Sequence, residues 1–235
     1  MDFEYERMGE HALLLRLGEG IDREVNARVH EACARLRATP LAGVQELVPA
    51  YASVLVRLDP RAAAATDDPL PGLLDRIRQV LAAGGAEARQ APTVHRLPVC
   101  YGGAHGVDLG TVAQRLGMSE ASVVARHCAV EYQVAMLGFA PGFAYLLGLD
   151  PALEVPRRER PRTRVPAGSV AIGGAQTGIY PAELPGGWQL IGRTPSRLFD
   201  AAASGRPCLL APGDRVRFEP IDAAMFDQLA GDARA

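Results

Sequence analysis

The chain has 235 residues, 48% of them hydrophobic and 22% charged, with a net charge of −2; these proportions fit a globular protein and exclude a disordered tail or a strongly basic nucleic-acid binder. No apolar run approaches the ~18 residues of a membrane span, and the acidic opening MDFEYERMGE lacks the apolar core of a signal peptide, so the cytoplasm is the expected compartment. All 25 residues counted as Lys+Arg are Arg, which excludes a Walker-type phosphate lysine, a Schiff-base lysine and a biotinylated lysine within this chain.

Ala12 to Leu17 reads as a short strand. Ile21, Val25, Val29, Cys33 and Leu36 then recur at helical spacing, with Asp22 as N-cap and Pro40 beyond the end. Val44 to Val48 and Ser53 to Leu58 read as strands, and LLDRIRQVLAA as a second amphipathic helix with Leu73, Leu74, Ile77, Val80 and Leu81 on one side. The order strand, helix, strand, strand, helix, strand predicts a small α/β sandwich with its helices on one face. Small and polar residues from Ala82 to Pro92 mark a linker, which divides the chain into residues 1–90 and 91–235. TVHRLPVCY is the next strand, able to close the first sheet or open the second domain.

Two short helices follow, Asp108 to Leu116 and Ser119 to Ala129. After Gly138, Gly and Pro punctuate short apolar runs such as SVAIGG, WQLIG and RVRFEP, a pattern of antiparallel sheet or barrel. The closing LAGDARA is expected to fray. The four cysteines, Cys33, Cys100, Cys128 and Cys208, form no CxxC pair and read as reduced thiols.

Several motifs admit a chemical and a structural reading. LGTVAQRLGMSEASVVARH has the outline of a helix-turn-helix, but no basic face accompanies it, so two packed helices and no nucleic-acid partner are expected. His127 and Glu131 lie four apart and would share a face if the helix continues, as an oriented base or as a structural hydrogen bond. No third ligand accompanies them, so no metal site is expected. PRRERPRTRVP, Pro156 to Pro166, is either a solvated arginine-rich loop or an anion site, with Arg164 as its best member because it abuts the Gly-rich segment. GGAQTG lacks the lysine ending of a phosphate loop and reads as a tight turn presenting Gln176 and Thr177. Trp188 is a core residue or a pocket wall.

EYQVAMLGFAPGFAYLLGL, PRTRVPAGSVAIGGAQTGIYP and PGGWQLIGRTPSRLFD resemble the allophanate hydrolase subunit 1 family, in the family's order and across Tyr101 to Phe218. The chain departs from the family's pattern at Ala144, Leu147 and Leu184. The resemblance implies an α+β protein of two domains: a small α/β domain over 1–90, then a cyclophilin-like β-barrel of the carboxyltransferase C/D type over 91–235. It implies an ATP-dependent hydrolase acting on a cyclic amide. Members of the family work as the B subunit of 5-oxoprolinase, together with its C and A subunits, to open 5-oxo-L-proline to L-glutamate. ATP would then be bound by, or shared with, those partners, and this chain would be inactive alone. Related members form part of a urea- or allophanate-degrading carboxyltransferase or resemble an inhibitor of a histidine kinase, and both stay open as alternatives.

Residue type and motif position nominate the site within that frame. His127 and Glu131 would move protons, and Arg164 or Arg193 would pair with a substrate carboxylate. Gln176 and Thr177 would hydrogen-bond the amide, and Tyr180 and Trp188 would wall the small molecule. Gln176, Thr177, Tyr180 and Arg193 are expected on one concave surface with Arg164 at its rim.

Overall fold

The structure, a computed structural model, describes residues 1–63, 70–83 and 92–232. It divides into two compact units, Met1–Ala91 and Pro92–Ala235. Most of the linker expected at Ala82 to Pro92 lies outside the described residues.

The first unit runs β1 (Glu4–Arg7), β2 (Ala12–Arg16), α1 (Arg23–Ala38), β3 (Val44–Pro49), β4 (Ser53–Leu58), a single turn α2 (Pro60–Ala63) and α3 (Leu70–Ala82). Its sheet has the order β1-β2-β4-β3, with every pair antiparallel. Period-two alternation sends Leu13, Leu15, Val54 and Val56 into a core shared with Val29, Cys33 and Leu36 of α1 and Leu73, Leu74, Ile77 and Leu81 of α3. The Asp22 side chain caps α1, accepting from the Glu24 and Val25 N–H groups. β1 has no counterpart in the sequence reading, because all of EYER is exposed and no apolar alternation marks it. The strand that the sequence left between the two units, β5 (Val94–Tyr101), belongs to the second.

After β5 come α4 (Leu109–Leu116), α5 (Glu120–Cys128), β6 (Tyr132–Leu137), β7 (Ala144–Leu147), a 3-10 turn (Pro151–Leu153), β8 (Arg162–Val165), β9 (Ser169–Gly173), β10 (Gln176–Ile179), β11 (Leu184–Gly186), β12 (Gln189–Arg193), β13 (Arg215–Ile221) and α6 (Ala223–Asp232). Seven strands close a barrel in the order β10-β7-β6-β13-β5-β12-β9, and β8 and β11 form a separate two-stranded ribbon. β13 and β5 pair in parallel and the other barrel neighbours antiparallel. Alternation splits the apolar residues between two clusters. Val170, Ile172, Ile179, Ile191, Leu146 and Phe218 belong to the larger cluster, and Ala171, Leu190, Tyr180 and Trp188 to a smaller one that includes Val165 of the ribbon.

Ala113 and Val123, the small and aliphatic positions of the helix-turn-helix outline, are buried, and Val123 sits in the larger cluster with Val112. Gly117 ends α4 in the left-handed region, at φ +64. Two expectations change. α5 stops at Cys128 with Ala129 as its cap, so the helix that would have carried His127 and Glu131 on one face does not continue. The closing segment does not fray from Leu229 as expected, because α6 runs to Asp232 and buries Phe226. Among the described residues, no helix is long and apolar enough to cross a membrane.

Candidate functional site

The sequence motifs meet around two side chains, His127 and Trp188. His127 leaves the last turn of α5 fully buried and stacks on Phe218 of β13, with ring centroids 4.7 Å apart. Its Nε2 lies 3.0 Å from Thr177 Oγ1, and its Nδ1 lies 2.8 Å from the Tyr101 hydroxyl. The Thr177 hydroxyl donates to the Ala171 carbonyl at 3.0 Å, so its oxygen accepts from Nε2–H, and Nδ1 is left to accept from Tyr101 O–H. Cys128 Sγ donates in turn to the Tyr101 oxygen at 3.4 Å. The result is one directed line of hydrogen bonds from thiol to phenol to imidazole to hydroxyl to carbonyl.

Burial pushes the His127 pKa down from 6.5 to about 3. Burial also raises the Tyr101 phenol and the Cys128 thiol. Every member is therefore uncharged at neutral pH. With both imidazole nitrogens held by protein groups, this arrangement positions β5, α5 and β10 against one another. Glu131 lies elsewhere, paired with Arg217 at 2.8 and 2.9 Å.

The second centre is aromatic. Trp188 is packed by Phe143 and Tyr145, with ring centroids 5.8 and 6.1 Å away. Tyr180 meets Phe143 edge-on at 5.3 Å. The glycines of this region make room for the rings. A Cβ on Gly173 would stand 2.6 Å from the indole, and one on Gly186 would stand 2.2 Å from the Tyr180 oxygen. The Trp188 backbone N–H donates to that phenol, whose pKa is raised by burial. Phe139 carries the cluster outward. It is 60% exposed, adopts φ +68 and touches Phe143 and Tyr180 edge-on. A left-handed phenylalanine is uncommon and costs energy.

The arginine-rich segment closes over this cluster. Asp108, which reads from sequence as a helix start, makes no side-chain cap bond to α4. Its buried carboxylate instead takes Arg162 in a fork, at 2.7 and 2.8 Å, Arg158 at 3.2 Å and the Leu190 N–H at 2.7 Å. Two of the arginines offered by the sequence to an outside anion are thus held by an internal one. Arg157, next to Arg158 in the chain, lies over the Trp188 ring at 5.6 Å. Asp108 and Arg157 were not among the nominated residues. The only signal for Asp108 was a carboxylate at a helix start fifty residues from the arginines it binds.

The nominated residues do not share one surface. Thr177 belongs to the barrel line with His127, and Tyr180 and Trp188 belong to the aromatic cluster. Gln176 is buried at the start of β10. Arg193 donates from Nε to the Ala167 carbonyl at 2.7 Å and lies 5.8 Å over Phe226 of α6, which makes it a clamp between elements. Arg164 is 81% exposed, with Glu183 at 3.7 Å. GGAQTG is the hairpin between β9 and β10, turning at Gly174 with φ +65. Among the described residues, no group of three or more His, Cys, Asp or Glu could hold a metal ion.

The profile of the family described as carboxyltransferase domain, subdomain C and D, matches residues 3–210. The chain is 39% identical over 224 residues to the B subunit of 5-oxoprolinase from Bacillus subtilis (strain 168), covering 93% of each. It is 43% identical over 213 residues to the B subunit of 5-oxoprolinase from Escherichia coli O157:H7, covering 91% of this chain and 94% of that one. Among solved structures, TTHA0988 matches with a TM-score of 0.76 at 38% identity, over 91% of this chain and 40% of that longer one.

Proposed function

This chain belongs to the carboxyltransferase domain family, subdomains C and D, and on that premise we propose that it is the B subunit of an ATP-dependent 5-oxoprolinase, a cytoplasmic heteromeric hydrolase. With the A and C subunits of that enzyme it opens 5-oxo-L-proline to L-glutamate. The observation that carries this reading is similarity along nearly the whole length of two relatives of that name, at 39% and 43% identity. Support also comes from the convergence of the three family-like stretches. The first supplies Phe139 and Phe143, the second Tyr180 and the third Trp188.

The chain's own residues form no Walker-type phosphate loop. It contains no lysine, and its Gly-rich hairpin joins two strands instead of entering a helix. ATP would then be bound by, or shared with, the partner subunits. What this chain offers is a fixed aromatic wall flanked by guanidinium groups, suited to holding a small planar acid in place. His127 and Thr177 stiffen the strands behind that wall.

The family description also favours a second reading, a role in carboxyl transfer. Reconstitution separates the two. Co-purified with the A and C subunits, the chain is expected to support ATP-dependent release of glutamate from 5-oxo-L-proline. A complex that releases none, yet moves a carboxyl group from a biotinylated partner, would replace this reading with the second.

A further inference from the structure

We propose that Arg157, stacked on Trp188 beside Tyr145, grips the carboxylate of the cyclic-amide substrate. The inference deepens the 5-oxoprolinase reading and rests on it. Five arginines crowd the segment from Pro156 to Pro166, and the structure tells them apart. Arg158 and Arg162 are committed to Asp108, Arg164 reaches toward Glu183, and Arg160 is exposed without an aromatic ring beneath it among the described residues. Arg157 is exposed and stacked, and among the described residues no carboxylate pairs with it.

Three features suit it to an anion. A guanidinium lying over an indole keeps its N–H edge open, and that edge matches a carboxylate with two parallel hydrogen bonds. The backbone on both sides of Arg157 is pinned: the Pro156 carbonyl accepts from Gln189 Nε2 at 3.0 Å, and the Arg158 N–H donates to the Gly187 carbonyl at 2.7 Å. The stacking ring is fixed as well, because Gly173 leaves room for it at a spacing no Cβ would permit. Little ordering remains for a ligand to impose. The charge of Arg157 also reaches both nearby phenols, opposing the rise that burial imposes on Tyr145 and Tyr180. A planar lactam ring bearing one carboxylate can rest against the half-buried Tyr145 while its acid group meets the guanidinium edge.

The test uses the complex with the A and C subunits and two substrates, 5-oxo-L-proline and 2-pyrrolidinone, which lacks the carboxylate. Arg157→Ala should raise KM for 5-oxo-L-proline about ten- to a hundredfold, spare kcat, and leave the handling of 2-pyrrolidinone and the melting temperature unchanged. Arg157→Lys, which keeps charge but loses the planar fork, should fall between. An unchanged KM in Arg157→Ala overturns the proposal while the 5-oxoprolinase reading stands. If the complex never opens 5-oxo-L-proline, that reading fails, and the subsite is judged on the isolated full chain. Trp188 is the chain's only tryptophan, so its fluorescence reports directly on the stacked pair. A saturable change on titration with 5-oxo-L-proline, absent in Arg157→Ala, supports the subsite; no change in the wild type ends it.

Discussion

His127 shows how burial decides what a histidine can do. In the unfolded chain it titrates at 6.5; in the barrel its pKa is about 3. Between those values the unfolded state binds a proton that the folded state refuses, so acid favours unfolding. The residue's share of stability is complete above pH 6.5 and declines by up to about 1.4 kcal/mol per pH unit as pH falls toward 3. His127→Gln should therefore flatten the acid limb of the stability profile. It should also cost about 1–3 kcal/mol at pH 8, where Tyr101 and Thr177 lose a matched partner. Urea unfolding of both proteins at several pH values checks this, and parallel acid limbs would contradict it. Asp108 is the other residue whose role lies in its partners. Asp108→Ala removes the anchor of Arg158 and Arg162 and the acceptor of the Leu190 N–H. The expected loss is about 1.5–3 kcal/mol. The arginine-rich segment should also loosen, seen as a change in Trp188 fluorescence while the chain is still folded. An unchanged spectrum would mean that the segment holds its place without Asp108.

At the scale of the element, the hairpin of β9 and β10 explains why so many glycines sit in one stretch. They do not all serve the same end. Gly174 takes φ +65 with nothing within 4 Å of a built Cβ, so Gly174→Ala meets only the backbone cost of about 1 kcal/mol. Gly173 faces the indole at 2.6 Å. Gly173→Ala must displace the ring or the strand, at about 1–3 kcal/mol, and should redden Trp188 emission, whereas Gly174→Ala should not. Equal spectra would sink the distinction. The same stretch shows what sequence can disclose. Turns were legible from Gly and Pro, and the cap of α1 from Asp22, because those signals are local. The side of the strand on which each residue falls was not. Thr177 and Tyr180, nominated for one surface, stand three apart on an extended chain, so Thr177 goes to His127 and Tyr180 to the cluster with Trp188. β1 was hidden for a related reason: an exposed edge strand of charged residues has no apolar period to detect.

Across the whole molecule, most elements of the first unit were accessible because apolar runs and their punctuation follow the chain, whereas in the second half the same pattern left sheet or barrel open and only the family resemblance pointed to a barrel. The site was accessible only in outline. The Gly-rich stretch, the FAPGF loop and the arginine-rich segment stood out as motifs, but their meeting around Trp188 depends on barrel closure. Asp108 was obscured by its own helix-cap position, and Arg157 by four similar neighbours. On the proposed reading, the chain holds a substrate for chemistry supplied by its partner subunits. It follows that this chain alone should open no 5-oxo-L-proline, with or without ATP. The most direct measurement is glutamate release, with ADP formed alongside, from 5-oxo-L-proline and ATP by the A and C subunits, with this chain present and then omitted. The account predicts coupled release of glutamate and ADP from the full set and loss of glutamate when this chain is left out. Equal glutamate release without the chain would contradict it.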